Sequence, residues 1–267
     1  MLILCYGITK SGSTLTFELV RGMLENAGHL QQRLPDEVVN PGHRINYIQP
    51  VTRKRLDDLL SVIGERRIAV KTHAALADPL FEYVEELQAT RQLQVIASWR
   101  DPRDICLSMV DAGAHARAAG RKEFSLMTDI HVAANELSNQ IPKFVKWACA
   151  KGTLALEYDV VAFSPDTAIE RIESVLGVRC DREQAKRHAF EVAFTQKNKA
   201  EKNRFLRELN ETEKAGLQER FVDFLQRMYE GEPAEWFALE RARILQRCRS
   251  RSERAGGMVR KRRRARA

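Results

Sequence analysis

Long apolar runs are missing from this chain of 267 residues. None approaches the ~18 residues that a membrane-spanning helix requires, so hydropathy excludes one. Metal-ligand spacing is missing as well. The five cysteines, at 5, 106, 149, 180 and 248, and the six histidines form no C-x-x-C or H-x-x-x-H pattern. Neither a zinc site nor a disulfide framework is expected, and scattered thiols suit a reducing compartment. No charged stretch precedes the first apolar residues, so the N-terminus reads as a strand and not as a signal peptide. A cytoplasmic protein is the expectation. With 44% hydrophobic residues, the chain can bury one sizeable core.

Charge is present but unevenly placed. The formal net charge is +8, yet from Arg241 onward twelve Arg/Lys face a single Glu253. That end carries +11, which leaves residues 1–240 at −3. We divide the chain into a domain over 1–245 and a basic tail over 246–267, expected to be disordered at its end beyond Gly256-Gly257. Such a tail is either a dispensable solubilising segment or a recruiter to an anionic membrane surface, nucleic acid or another polyanion.

What the chain has is concentrated at its start. The apolar strand Leu2-Ile3-Leu4-Cys5-Tyr6 runs into Gly7-Ile8-Thr9-Lys10-Ser11-Gly12-Ser13-Thr14, and apolar residues at helical spacing follow from Leu15 to Ala27 before Gly28. Backbone N–H groups, hydroxyls and a helix N-terminus then converge on one spot, which suits a phosphate or sulfate. Gly7, Gly12 and Thr14 fall in register with the triphosphatase pattern G-x-x-x-x-G-K-[ST], but Ser13 stands where that pattern needs lysine. The loop's lysine is Lys10.

Two further segments carry chemistry. Leu93–Ser98 reads as a buried strand leading to Trp99-Arg100-Asp101-Pro102, where Asp101 suits a helix cap and Pro102 the first turn. Arg100 then sits at a strand's carboxyl end, the edge where open parallel sheets bind ligands, with Ser108 about two turns into the helix. Arginine there either grips a phosphate or pairs with Asp101 or Asp104. Between the two segments, Arg67–Lys71 is another short strand, with His73 just past its end as a residue able to take a proton near neutral pH.

Taken together, Thr9–Thr14, Arg100–Ser108 and Lys71-Thr72-His73 resemble the sulfotransferases that use 3′-phosphoadenosine 5′-phosphosulfate (PAPS). Their 5′-phosphosulfate loop reads like P-K-S-G-T-T, their 3′-phosphate motif like R-N-P-x-D-x-x-x-S, and many carry K-T-H. Glu157-Tyr158-Asp159 and Val175-Leu176-Gly177 are similar to later segments of the family. The resemblance implies an α/β fold, a P-loop-like mostly parallel sheet flanked by helices, with strands near 2–6, 67–71, 93–98 and 153–157. It implies in-line sulfuryl transfer from PAPS to an acceptor hydroxyl without a metal. Lys10 and His73 would be catalytic, the lysine meeting charge on the departing nucleotide and the histidine acting as base. Lys10, Ser11, Gly12, Ser13 and Thr14 would hold the 5′ end, Arg100 and Ser108 the 3′-phosphate, and Tyr158 would lie near adenine. Asn203-Arg204-Phe205 loosely resembles a G-R-W turn, which brings Arg204 into the cofactor set beside Lys197, Lys199 and Lys202.

Departures leave alternatives open. Leu15 stands where many relatives have a tryptophan, and no R-K-G copy exists. Asp78, Glu82 or Glu85 are alternative bases, and His43, Tyr47, His115 and His131 are candidate acceptor-pocket residues. A nucleotide-dependent kinase on the same loop, or a non-catalytic binder of anions or nucleic acid, remains the rival reading.

Overall fold

The structure is a computed structural model that describes residues 1–193 and 199–264, with side chains as far as Ser250. Its centre is a parallel sheet of β1 (Leu2–Gly7), β2 (Ile68–Thr72), β3 (Leu93–Trp99) and β4 (Leu154–Glu157), in the order β2-β1-β3-β4 among the described residues. Tyr6 lies opposite Thr72 and Ala97, Gly7 opposite Ser98, and Trp99 opposite Glu157. Parallel register therefore delivers the carboxyl ends of all four strands to one edge.

Why the strands are apolar on both sides follows from the layers. Leu2, Leu4 and Tyr6 of β1 join one core, and Ile3 and Cys5 join the other. A sheet covered on both faces needs apolar residues at every position, whereas a sheet with one wet face alternates. Helices α1 (Ser13–Asn26), α2 (Arg53–Ile63), α3 (Phe81–Ala89), α4 (Pro102–Ala118) and α5 (Ile130–Ala148) occupy the first half of the chain. The short α6 (Tyr158–Phe163), then α7 (Pro165–Leu176) and α8 (Arg182–Arg187), follow β4. Helices α1, α7 and α8 pack together on the Ile3/Cys5 face. On the opposite face α2, α3 and α5 cover the sheet. The Tyr6 and Trp147 rings stack there at 5.8 Å.

The remaining described residues form α9 (Phe205–Glu208), α10 (Glu211–Arg220), α11 (Val222–Leu225) and the long α12 (Pro233–Arg264). The first half of α12 is anchored: Ile244 is buried in the core, and Arg241 donates two hydrogen bonds to Glu85 at 2.6 and 2.7 Å. The basic segment from 246, whose end beyond Gly256-Gly257 is expected from sequence to be disordered, continues this helix as far as Arg264. The packed start of α12 supplies the costly nucleation step, against which the two glycines cost about 1 kcal/mol each relative to alanine. The four strands lie within a residue or two of their expected limits. Asp101 caps α4 by accepting from the Arg103 N–H, and Pro102 opens the helix. No helix among the described residues is long and apolar enough to cross a membrane.

Candidate active site

The site grows from the β1–α1 connection. Lys10 adopts φ 68° and Gly12 φ 77°, so the chain turns sharply twice before α1 begins. Gly12 precedes the helix without a side-chain cap, and the first turn holds no acidic residue. The N–H groups of that turn are thus left to an incoming acceptor, and the helix dipole favours an anion there. Glycine is demanded at two points. A Cβ on Gly7 would stand 2.3 Å from the Ser13 Cβ and 2.4 Å from the Ser98 Oγ, and one on Gly12 would stand 2.3 Å from the Tyr158 ring. The loop is packed from below by β3, with Ser11 Oγ donating to the Ser98 carbonyl at 3.3 Å. Ser11 and Ser13 are buried.

Lysines frame the loop. Lys10 is partly withdrawn from water, which lowers its pKa, while Asp111 opposes that shift and Arg100 adds to it. Its Nζ lies 5.6 Å from the centre of the Phe124 ring. Lys71, the penultimate residue of β2, donates from Nζ to the Thr14 Oγ1 at 2.7 Å. Burial brings its pKa down to about 8, with Cys5 and Glu18 opposing and Lys10 assisting. Sequence reasoning quoted Lys71 only as part of K-T-H. A lysine closing the apolar run Ile68-Ala69-Val70 was the available signal.

His73, two residues later, has Nδ1 2.7 Å from the Gly7 carbonyl oxygen. A carbonyl only accepts, so Nδ1 carries the proton and Nε2 keeps its lone pair. Burial pulls the ring pKa down to about 4, Lys71 pushes the same way, and the bond to Gly7 opposes. The Tyr47 ring lies 6.1 Å from the His73 ring and stacks on His43 at 4.5 Å. His43 and Tyr47 thus join His73, whereas His115 and His131 are exposed on α4 and α5. Two of the alternative bases are engaged elsewhere. Asp78 pairs with Lys146, and Glu85 is held by Arg241 and the Lys151 N–H.

Arg100 follows β3 and is buried, with its Nη2 donating to Asp104 at 3.0 Å and to the Glu201 carbonyl at 2.9 Å. Its guanidinium lies 4.3 Å from the centre of the Tyr158 ring. Among the described residues, Arg100 Nε is the buried side-chain polar atom with no hydrogen-bond partner. Ser108 is buried on α4, one turn beyond Asp104. Asp104 also accepts from the Phe205 N–H at 3.1 Å, tying Arg100 to the turn before α9. The pairing of arginine with Asp104, open from sequence, therefore occurs, and Asp101 takes Arg103 instead.

Arg204 is held by carboxylates. It is buried to 1% exposure, and its fork is filled by Glu208 at 2.9 and 2.8 Å and by Asp111 at 2.7 Å. A guanidinium satisfied by two carboxylates has its charge neutralised and serves packing between α9 and α4. Lys199 pairs with Glu208, and Lys202 lies over the Phe163 ring. Lys197 lies outside the described residues. A cavity of about 250 Å³ opens beside Arg103, but Asp101, Asp104, Glu157, Asp159 and Glu230 line it. Five carboxylates beside one arginine suit that cavity poorly to phosphate.

Residues 2–232 match the family described as the sulfotransferase domain, and the chain belongs to that family. It is a sulfotransferase, an enzyme that passes a sulfuryl group from PAPS to an acceptor. The match ends just before α12 begins. Two solved structures share the fold. A mouse sulfotransferase, SULT7A1, solved with PAP, is 13% identical with a TM-score of 0.54, over 90% of this chain and 88% of that one. A retinol dehydratase solved with androsterone and the inactive cofactor PAP is 15% identical with a TM-score of 0.51, over 84% of this chain and 80% of that one. No curated protein matches the chain. The kinase and non-catalytic readings give way to the family match. Among the described residues no cluster of His, Cys, Asp or Glu could hold a metal ion.

Proposed function

We propose that Lys10, the Ser11–Thr14 loop, Arg100 and Ser108 hold the nucleotide of the donor, and that His73 is the base toward the acceptor hydroxyl. The observation that carries this reading is Arg100 Nε, a buried cationic donor without a partner beside the strand edge. An unmet buried donor costs about 1–3 kcal/mol, which a phosphate oxygen relieves. Tyr158, packed between Gly12 and Arg100, is the proposed neighbour of adenine.

When bound, PAPS supplies the sulfuryl group and an anionic leaving nucleotide. The chain's own residues then have separate tasks. The uncapped first turn of α1 and the Ser13 and Thr14 hydroxyls orient anionic oxygens, and the packing of Ser11 on β3 beneath them means little reorganisation during reaction. Lys10 holds positive charge in a partly dry place, where charge acts more strongly than in water. Lys71 fixes the Thr14 hydroxyl. His73 accepts the acceptor's proton at Nε2, its Nδ1 proton being held by Gly7. The acceptor approaches past Tyr47 and His43.

The deciding experiment is calorimetric titration with adenosine 3′,5′-bisphosphate, ADP and ATP at one salt concentration. Tight binding of the bisphosphate alone is expected, and a preference for ATP would overturn the assignment. Arg100→Lys keeps a charge for Asp104 but loses the Nε donor and the planar fork. It should raise the bisphosphate Kd by at least about tenfold with the melting temperature little changed.

For the basic end of α12 we propose recruitment to a polyanion, supported by nine Arg/Lys against one Glu over residues 249–267. Deleting that stretch should leave bisphosphate affinity within about twofold and abolish salt-sensitive retention on heparin. Unchanged retention would assign the effect to the domain. A cytoplasmic site of action is proposed from the five free cysteines.

A further inference from the structure

The loop has a local difficulty at Lys10, whose left-handed backbone is unfavourable for any residue with a side chain. Contacts from outside the loop must hold it there. The Ser11 N–H bonds back to the Ile8 carbonyl at 3.0 Å, within the loop itself. The Thr9 N–H, directly before Lys10, instead donates to Gln140 Oε1 at 2.9 Å, on α5 and 131 residues away. Gln140 is buried, and its Nε2 donates to Glu136 Oε1 at 2.8 Å, one turn earlier. A backbone N–H can only donate and a carboxylate can only accept, so these two bonds fix which end of the amide faces the loop.

The helix that presents Gln140 is anchored in the core on the same side. Leu137, Phe144 and Trp147 on the same helix are fully buried. Trp147 stands two turns beyond Gln140 on the same face, and its indole N–H donates to the Ala74 carbonyl at 2.9 Å, the residue after His73. One face of α5 thus braces the backbone beside both proposed catalytic side chains. Neither contact is visible as a motif.

We propose that Gln140 is a positioning residue that sets the Lys10 backbone through the Thr9 N–H, with Glu136 fixing the orientation of its amide. This rests on the role given to Lys10 under Proposed function. Two variants test it. Gln140→Leu keeps the volume and removes the acceptor. The double change Gln140→Glu with Glu136→Gln rebuilds both bonds, the amide now donating from position 136 and the carboxylate accepting from Thr9.

Three quantities decide: amide exchange at Thr9 in the nucleotide-free protein, single-turnover cleavage of PAPS, and the Kd for adenosine 3′,5′-bisphosphate. In Gln140→Leu, Thr9 exchange should speed up about tenfold or more and cleavage should fall about 10- to 100-fold. The Kd should move less than about threefold, because the α1 N–H groups and Arg100 remain in place. The double variant should restore slow exchange and most of the rate. The proposal is overturned if Thr9 exchange and cleavage in Gln140→Leu match the unmodified protein. It is equally overturned if rate and affinity fall together and the double variant recovers neither, which marks a structural role. Failure of the unmodified protein to bind the bisphosphate would instead overturn the assignment of the site itself.

Discussion

Lys10→Met leaves bisphosphate binding nearly intact but cuts single-turnover cleavage of PAPS by about 10²–10³-fold. The reason lies in when each contact is made. Arg100 and the first turn of α1 meet charge that the nucleotide carries before and after reaction, so they govern affinity. Lys10 is placed for charge that grows as the sulfuryl bond breaks, so its loss falls on the rate. Its surroundings make that charge effective: burial lowers its pKa, and the Phe124 face lies 5.6 Å away. Asp111 opposes that shift and so favours the charged form. Methionine retains the stem and the packing, which separates charge from volume. Quench-flow and calorimetry on the same preparation check the split. A rate within about threefold of the parent, or an equal loss of affinity, would remove Lys10 from the chemistry.

Much of this arrangement was legible in the sequence because it is local. The four strands announce themselves as apolar runs, and the parallel order brings their ends together. The loop, Arg100, His73 and Tyr158 each follow a strand directly, so their shared edge follows from topology alone. Asp101 and Pro102 mark the start of α4 in the same way. What sequence could not supply is long-range satisfaction. Gln140 reaches Thr9 from 131 residues away. The carboxylate partners of Arg204 likewise come from a helix nearly a hundred residues earlier and from the next turn. At the basic end, charge density is visible in the sequence, whereas the packed start of α12 that nucleates the helix is a tertiary feature.

His73→Gln should lower turnover by about 10²–10⁴-fold, the span of a well-placed general base. Glutamine can still donate to the Gly7 carbonyl, so the strand end keeps its hydrogen bond and only the proton acceptor is lost. The pH profile gives a second, independent reading of the same assignment. His73 must be neutral to act. Its pKa lies at about 4 because burial disfavours the imidazolium, so kcat/KM should rise as pH passes upward through that value. Lys71 has a pKa of about 8 for the same physical reason acting on an ammonium, and kcat/KM should fall as it loses its proton. The plateau between them describes the free enzyme, which is the state that kcat/KM reports. Lys71→Arg should carry the alkaline fall out of the accessible range, because a guanidinium stays charged there. An acid limb that persists in His73→Gln would place the base elsewhere. An alkaline limb that persists in Lys71→Arg would pass to Lys10, whose pKa is also lowered by burial. The two limbs thus assign the two sides of the site separately, the acceptor side to His73 and the loop side to the lysines.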